Sequence, residues 1–355
     1  MPAVEAAGKT GQLEMSRPNE KVTPIRIAAP FDDNSPLPVT NEEALRLYRE
    51  MVMIREFEEQ AAHGFTRNRI GGYFHTCIGQ EASVVGLVSA LKNQDYLIAS
   101  YREHGHALAR GCTPREVMSE LYGRSTGSSK GKGGSMHIFD APRHFLGGTG
   151  IVGGNIPIGA GVAFALKYKD TDGICACFFG DGAVNEGTFH EALNMAGLWD
   201  LPVLFVCENN LYGMGTHVSR ANAVPEMMAR ASGYGMDRYK ADGMDLFGTR
   251  ALANEIIEKM RKDRRPVFVE SLTYRFLGHG SHDPGKYRAP EEVERWRQRD
   301  PIRLAEHTLR QRGLLSDADI DAALTDGRAV VDDAVHFAEH SPFPSEADLY
   351  ADVLA

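Results

Sequence analysis

Asp181 stands between Gly180 and Gly182 at the end of one apolar run, and twenty-nine positions later a second apolar run ends in the paired amides Asn209-Asn210. A carboxylate and an amide carbonyl are hard oxygen ligands. They suit magnesium, which takes few protein ligands and completes its shell with phosphate and water. One strand–helix–strand unit spans the interval, so both side chains reach one crevice beyond the carboxyl ends of parallel strands. The glycines beside Asp181 let phosphate oxygens approach the backbone, and the N-terminus of the following helix favours their charge. These residues ask for a metal-bridged diphosphate.

Rival phosphate motifs fail on spacing. A dinucleotide fingerprint needs glycine where Asn185 stands, and a P-loop around Gly131-Lys132 needs glycine at Thr126 and a hydroxyl residue at Gly133. A lone G-D-G would read as a tight turn, but the amides at the next strand end make that a poor account. His279 and His282 fit either a metal pair or solvated loop histidines. Glu186 and His190, four apart on a helix, suit a surface hydrogen bond better than a metal. His104 and His106 follow a third strand end.

The elements that must hold these residues are legible as short, continuous apolar runs at 174–179, 203–208 and 266–270, with 96–100 as a further buried strand. Helical stretches at 185–199 and 245–262 alternate with them. Continuous apolarity marks strands buried on both faces, so the expected fold is α/β: a three-layer α/β/α parallel sheet. Thr40 and Glu43 form a capping box that opens the first helix. Residues 1–39 read as a flexible leader, and 40–355 as one domain whose tail, from about 290 to 355, is helical. Asp300-Pro301 opens one tail helix and Ser316 the last long one. The stretch 123–137, rich in Gly, Ser and Lys, has the composition of a flexible linker; returning glycines through 147–161 argue instead for backbone that passes close to something.

Net charge is −9 with a pI near 5.8, which disfavours nucleic acid or an anionic membrane as a partner. The five cysteines are odd in number and contain no C-x-x-C pair, so neither a disulfide framework nor a zinc ribbon is expected. No apolar run approaches a membrane span, and the leader lacks a signal-peptide core. A cytoplasmic protein is the default expectation.

The G-D-G and N-N pair in this strand context resembles the signature of thiamine diphosphate enzymes. From about Thr40 onward the chain resembles the alpha subunit of the heterotetrameric 2-oxoacid dehydrogenases, the first component of the pyruvate dehydrogenase complex. The stretches that carry the likeness are HTCIGQEA, YREHG, KGKGGSMH, GGTGIVGG, FFGDGAVNEGTFHEALN, VCENNLYGMGT, TYRFLGHGSHDPGKYR and ADLYADV. The resemblance implies a transketolase-like thiamine diphosphate-binding fold. It implies magnesium held by Asp181, Asn210 and the backbone carbonyl of Tyr212, with Gly182 and Ala183 against the diphosphate. Tyr101 and Arg102 reach the cofactor, and Gly150 and Val152 lie against its aminopyrimidine. His75 belongs near the substrate, and His279 beside the reactive carbon, where it and Tyr101 serve the chemistry.

The family's activating glutamate belongs to a beta subunit, so the resemblance implies half an active site, completed in an α2β2 assembly. The implied reaction is decarboxylation of pyruvate with reductive acetylation of a lipoyl group on an acyltransferase, the second component. Acetoin and then branched-chain 2-oxoacids rank behind pyruvate, whose type VCENNLYGMGT and GTGIVGGNIP resemble. A noncatalytic subunit fits poorly with Asp181, Asn210 and His279 all present. Three positions depart from the pattern: Leu277 stands where mitochondrial relatives carry a histidine, Gly280 where they carry a phosphorylatable serine, and Glu186 replaces a usual glutamine. Phosphorylation of that loop is therefore not expected.

Overall fold

The apolar runs do form strands, and their period-two alternation divides two cores. In the computed structural model, which describes residues 26–27, 31–32 and 35–351, the strands are β1 (Arg26–Ile27), β2 (Tyr96–Ile98), β3 (Cys175–Gly180), β4 (Val203–Asn209), β5 (Tyr212–Gly213), β6 (Thr216–His217), β7 (Asp237–Asp242) and β8 (Val267–Leu272). Six of them make one sheet in the order β1-β7-β8-β4-β3-β2, parallel throughout. Cys175, Cys177, Phe179 and Phe205 face the core beneath helices Asn155–Tyr168 and Gly187–Leu198. Ala176, Phe178, Leu204 and Val206 face the opposite core, under helices Asn41–Thr66, Glu81–Val88 and Leu246–Asp263. The expected three layers are present. Each fully buried phenylalanine here contributes roughly 1.5–3 kcal/mol.

Helix ends follow the local signals with one exception. Thr40 Oγ1 accepts the Glu43 N–H at 3.2 Å, but the Glu43 carboxylate turns away to Arg250, 3.0 Å distant, so the box is only half made. Asp300 caps helix Pro301–Gln311. Ser316 and Asp319 form a complete capping box on Asp317–His340, which packs against the first helix and Pro114–Leu121.

Two strands of the six-stranded sheet were not foreseen, nor was the short β5–β6 hairpin. β7, sequence DRYKAD, is masked by its charges, although Arg238, Tyr239 and Ala241 are buried. β1 lies inside the expected leader, and nearby Phe31 packs on Phe247 with ring centroids 5.8 Å apart. The linker-like stretch is an ordered series of turns around one buried carboxylate: Glu120 accepts N–H bonds from Ser129, Gly131, Gly133 and Gly134 at 2.7–3.1 Å.

Candidate cofactor and metal site

Gly180 of β3 pairs in register with Glu208 of β4, so Asp181 and Asn210 leave neighbouring strands at one end of the sheet. The Asn210 N–H donates to Asp181 Oδ1 at 3.3 Å. Leu211 and Met214 adopt left-handed φ of 71° and 51°, a costly conformation for side chains of this size. They bend the chain into the β5–β6 hairpin around Tyr212. One guanidinium ties the corner together. Arg275 Nε donates to Asn210 Oδ1 at 3.1 Å, and its Nη2 to the carbonyls of Tyr212 and Met214 at 3.2 and 3.1 Å. The backbone after G-D-G departs from expectation: Asp181–Asn185 is a 3-10 turn and the α-helix begins only at Gly187. The N–H groups nearest Asp181 belong to that turn rather than to a helix terminus.

Do these residues fit a magnesium diphosphate? Burial pushes the Asp181 carboxyl up to about 6, against the pull of Arg275 and Arg102, so a cation beside it relieves a desolvation cost. Among the described residues no three His, Cys, Asp or Glu side chains cluster as a metal site. The donor set is therefore one carboxylate with amide and carbonyl oxygens, which leaves room for phosphate ligands. Arg102 brings a guanidinium to the same cavity, and that group suits phosphate charge. The fit is good.

A cavity of about 240 Å³ opens over this corner, lined by Tyr101, Arg102, Val152, Gly182, Ala183 and His279 together with the three metal-side residues. Gly150 is the one expected cofactor contact outside its lining. Arg102 is buried and pinned, with Nη1 on the Thr76 carbonyl at 2.5 Å and Nη2 on the His279 carbonyl at 2.8 Å. Burial lowers its pKa to about 10, which leaves it charged at neutral pH. His75 lies behind the lining yet joins the cluster: its ring centroid is 4.6 Å from Tyr101 and 5.1 Å from His279. The loop carrying His279 is laced by Asp283, which accepts from the His279 N–H at 2.6 Å and the Tyr287 hydroxyl at 2.7 Å. His282 takes no part in the cavity and packs edge-on against Phe65.

Desolvation first, then the nearby guanidinium of Arg102, holds His75 down at about 2 and His279 at about 4. Both rings are therefore neutral at pH 7 in the empty cavity. The sign for stability follows. Unfolded histidine titrates near ~6.5, so between about 4 and 6.5 the unfolded chain binds more protons at these sites, and stability is lost as pH falls through that window. Urea midpoints at pH 7.5 and 5 should show a smaller acid loss in the double variant His75→Gln/His279→Gln than in the parent. An equal loss would contradict the burial of neutral rings.

Behind the cavity, Glu58 binds His104 Nδ1 at 2.9 Å and the Cys77 N–H at 2.8 Å, and His104 Nε2 meets Ser135 Oγ at 2.9 Å. All of these groups are buried, and none lines the cavity. This array joins the segments around 77, 104 and 135 rather than presenting a nucleophile. His190 meets the Tyr234 hydroxyl at 2.6 Å, the hydrogen bond expected for it, and Glu186 is exposed.

A family model described as "Dehydrogenase E1 component" matches residues 49–346. The chain belongs to this family. It is 45% identical over 316 residues to the "Pyruvate dehydrogenase E1 component subunit alpha" of Rhizobium meliloti (strain 1021), covering 89% of this chain and 91% of that one. The protein of the same description from Zymomonas mobilis subsp. mobilis (strain ATCC 31821 / ZM4 / CP4) is 44% identical over 92% of this chain and 94% of its own length. The "Pyruvate dehydrogenase E1 component subunit alpha-3, chloroplastic" of Oryza sativa subsp. japonica is 40% identical over 89% of this chain and 77% of its length. Members of the E1 family depend on thiamine diphosphate, which the cavity's chemistry suits. No helix among the described residues is long and apolar enough to cross a membrane.

Sequence reasoning missed two side chains in this site. Arg275 is 1% exposed; its signal was a lone cation among apolar residues just past a strand end. Gln80, also 1% exposed, lines the cavity, and its type alone carried no signal.

Proposed function

We propose that this chain is the alpha subunit of a pyruvate dehydrogenase E1 component, which decarboxylates pyruvate and reductively acetylates the lipoyl group of a second-component acyltransferase. The observation that carries the reading is the convergence of Asp181, Asn210 and the Tyr212 carbonyl beside a cavity lined by the cationic Arg102, with Arg275 packed behind Asn210. The names of the relatives support the choice of pyruvate.

Asp181 Oδ, Asn210 Oδ1 and the Tyr212 carbonyl would hold magnesium. Gly182 and Ala183 would lie along the diphosphate, whose charge Arg102 would offset. Bound thiamine diphosphate supplies the electron sink for the departing carbon dioxide. Tyr101 and Val152 shape the wall beside it. His279, neutral and close to Tyr101, has a ring nitrogen to hold or deliver a proton at the reacting end, with His75 packed against it. The 275–288 loop, fixed by Asp283 and Arg288, excludes water from that end.

A beta subunit in an α2β2 assembly would complete the site. Ile151, Val152 and Met214, 74%, 44% and 66% exposed, are apolar groups at or beside the cavity mouth that a second subunit would cover. The glutamate that activates the aminopyrimidine would come from that subunit. The five buried free thiols suit a reducing compartment such as the cytoplasm.

The test is co-purification with a candidate beta subunit, followed by carbon dioxide release from pyruvate, acetoin and branched 2-oxoacids in the presence of magnesium and thiamine diphosphate. Turnover of pyruvate by the pair and none by the isolated chain is expected. Turnover of acetoin alone would overturn the substrate, and no turnover of any would sink the enzyme reading.

A further inference from the structure

Only one end of an asparagine amide can ligate a cation, and the metal reading above needs Asn210 to present oxygen. We propose that Gln80 is a positioning residue that holds the Asn210 amide with its carbonyl oxygen toward the metal and its nitrogen away. This rests on the reading that Asn210 is a metal ligand.

The Asn210 Nδ2 group donates to Gln80 Oε1 at 3.4 Å. From the other side, Arg275 Nε and the Tyr212 N–H donate to Asn210 Oδ1 at 3.1 and 3.4 Å. The two ends of one amide are thus read by opposite chemistries, and a flip would set donor against donors on the Arg275 side and acceptor against acceptor at Gln80. Gln80 is itself held. The Glu208 carboxyl, 4% exposed, lies beside the Gln80 side chain in the same cavity lining.

Its backbone follows a turn at Gly79, where φ is +96° and an added Cβ would stand 2.4 Å from the Tyr274 carbonyl. The Gly79 N–H is fixed in turn by the Glu81 carboxylate at 3.0 Å, which pairs with Arg55. Such partners behind a ligand orient it and raise the affinity of the site.

The test uses the assembled enzyme with its beta subunit, titrated with manganese in the presence of thiamine diphosphate, the free ion being read by electron paramagnetic resonance. Gln80→Met, close in shape but without the acceptor, is expected to weaken manganese binding by about 10–100-fold at an unchanged unfolding temperature. Gln80→Glu, which keeps an acceptor, should retain most of the affinity, and Asn210→Ala should abolish binding. Should the Met variant not assemble, Gln80→Ala carries the same expectation. Parental affinity in Gln80→Met with loss in Asn210→Ala overturns the role of Gln80 and leaves the metal reading standing. Equal weakening in the Met and Glu variants, or a fall in unfolding temperature with manganese affinity unchanged, also overturns it. Parental affinity in Asn210→Ala overturns the metal reading instead.

Discussion

Asp181→Ala should abolish magnesium-dependent retention of thiamine diphosphate by the assembled enzyme. Asp181 carries the sole negative charge among the three protein oxygens at the corner, and two guanidinium groups already act on it. Without it, magnesium would meet two neutral carbonyl oxygens with Arg275 hydrogen-bonded to both. Removing a mere supporting partner behind a ligand costs about 10–100-fold in metal affinity, so a charged direct ligand should cost more than about 100-fold. Asp181→Asn, which keeps an oxygen but not the charge, should fall between. Folding responds differently. A buried carboxyl raised to about 6 is itself costly to bury, so the unloaded Ala variant should melt no lower than the parent. Calorimetric titration of the cofactor with and without magnesium separates the two effects, and unchanged affinity in the Ala variant would reject the metal bridge.

What could be read without coordinates was whatever hydrophobicity writes locally. β3, β4 and β8 are continuous apolar runs because both of their faces are covered, and their carboxyl ends located Asp181 and Asn210. β7 escaped because four of its six residues are Asp, Arg, Lys and Asp; sheet neighbours, not its own apolarity, make it a strand. The half-made box at Thr40 has a similar cause: Arg250, 207 positions away in sequence, offers Glu43 a better partner than its own helix N-terminus. Arg275 and Gln80 escaped for the same reason. Their roles are set by Asn210 and Tyr212, which reach them only through tertiary packing, whereas His279 and Tyr101 were named from motif likeness and prove to be neighbours in space. His104, placed by the sequence just past a strand end, binds Glu58 and Ser135 behind the cavity.

The glycine-rich stretch at 123–137 teaches the converse lesson, and it carries the second large effect. Composition alone reads it as a linker, yet Glu120 gathers it: Oε1 accepts from Gly133 and Gly134, and Oε2 from Ser129 and Gly131. Glycine is needed for that approach, since a Cβ on Gly127 would stand 2.4 Å from Glu120 Oε2. Glu120→Gln keeps the shape but replaces one acceptor with an N–H₂ group. Whichever way the amide turns, two backbone N–H donors then face another donor. At about 1–3 kcal/mol per unsatisfied buried group, the cost is about 2–6 kcal/mol. The urea midpoint should fall accordingly, and amide exchange should accelerate first across 129–134. Because Ser135 of the same segment bonds His104, the loosening should spread toward the loops behind the cofactor cavity. Parental exchange rates across 129–134 in Glu120→Gln would show that the glycine-rich backbone holds its turns by itself, and that the carboxylate only follows them.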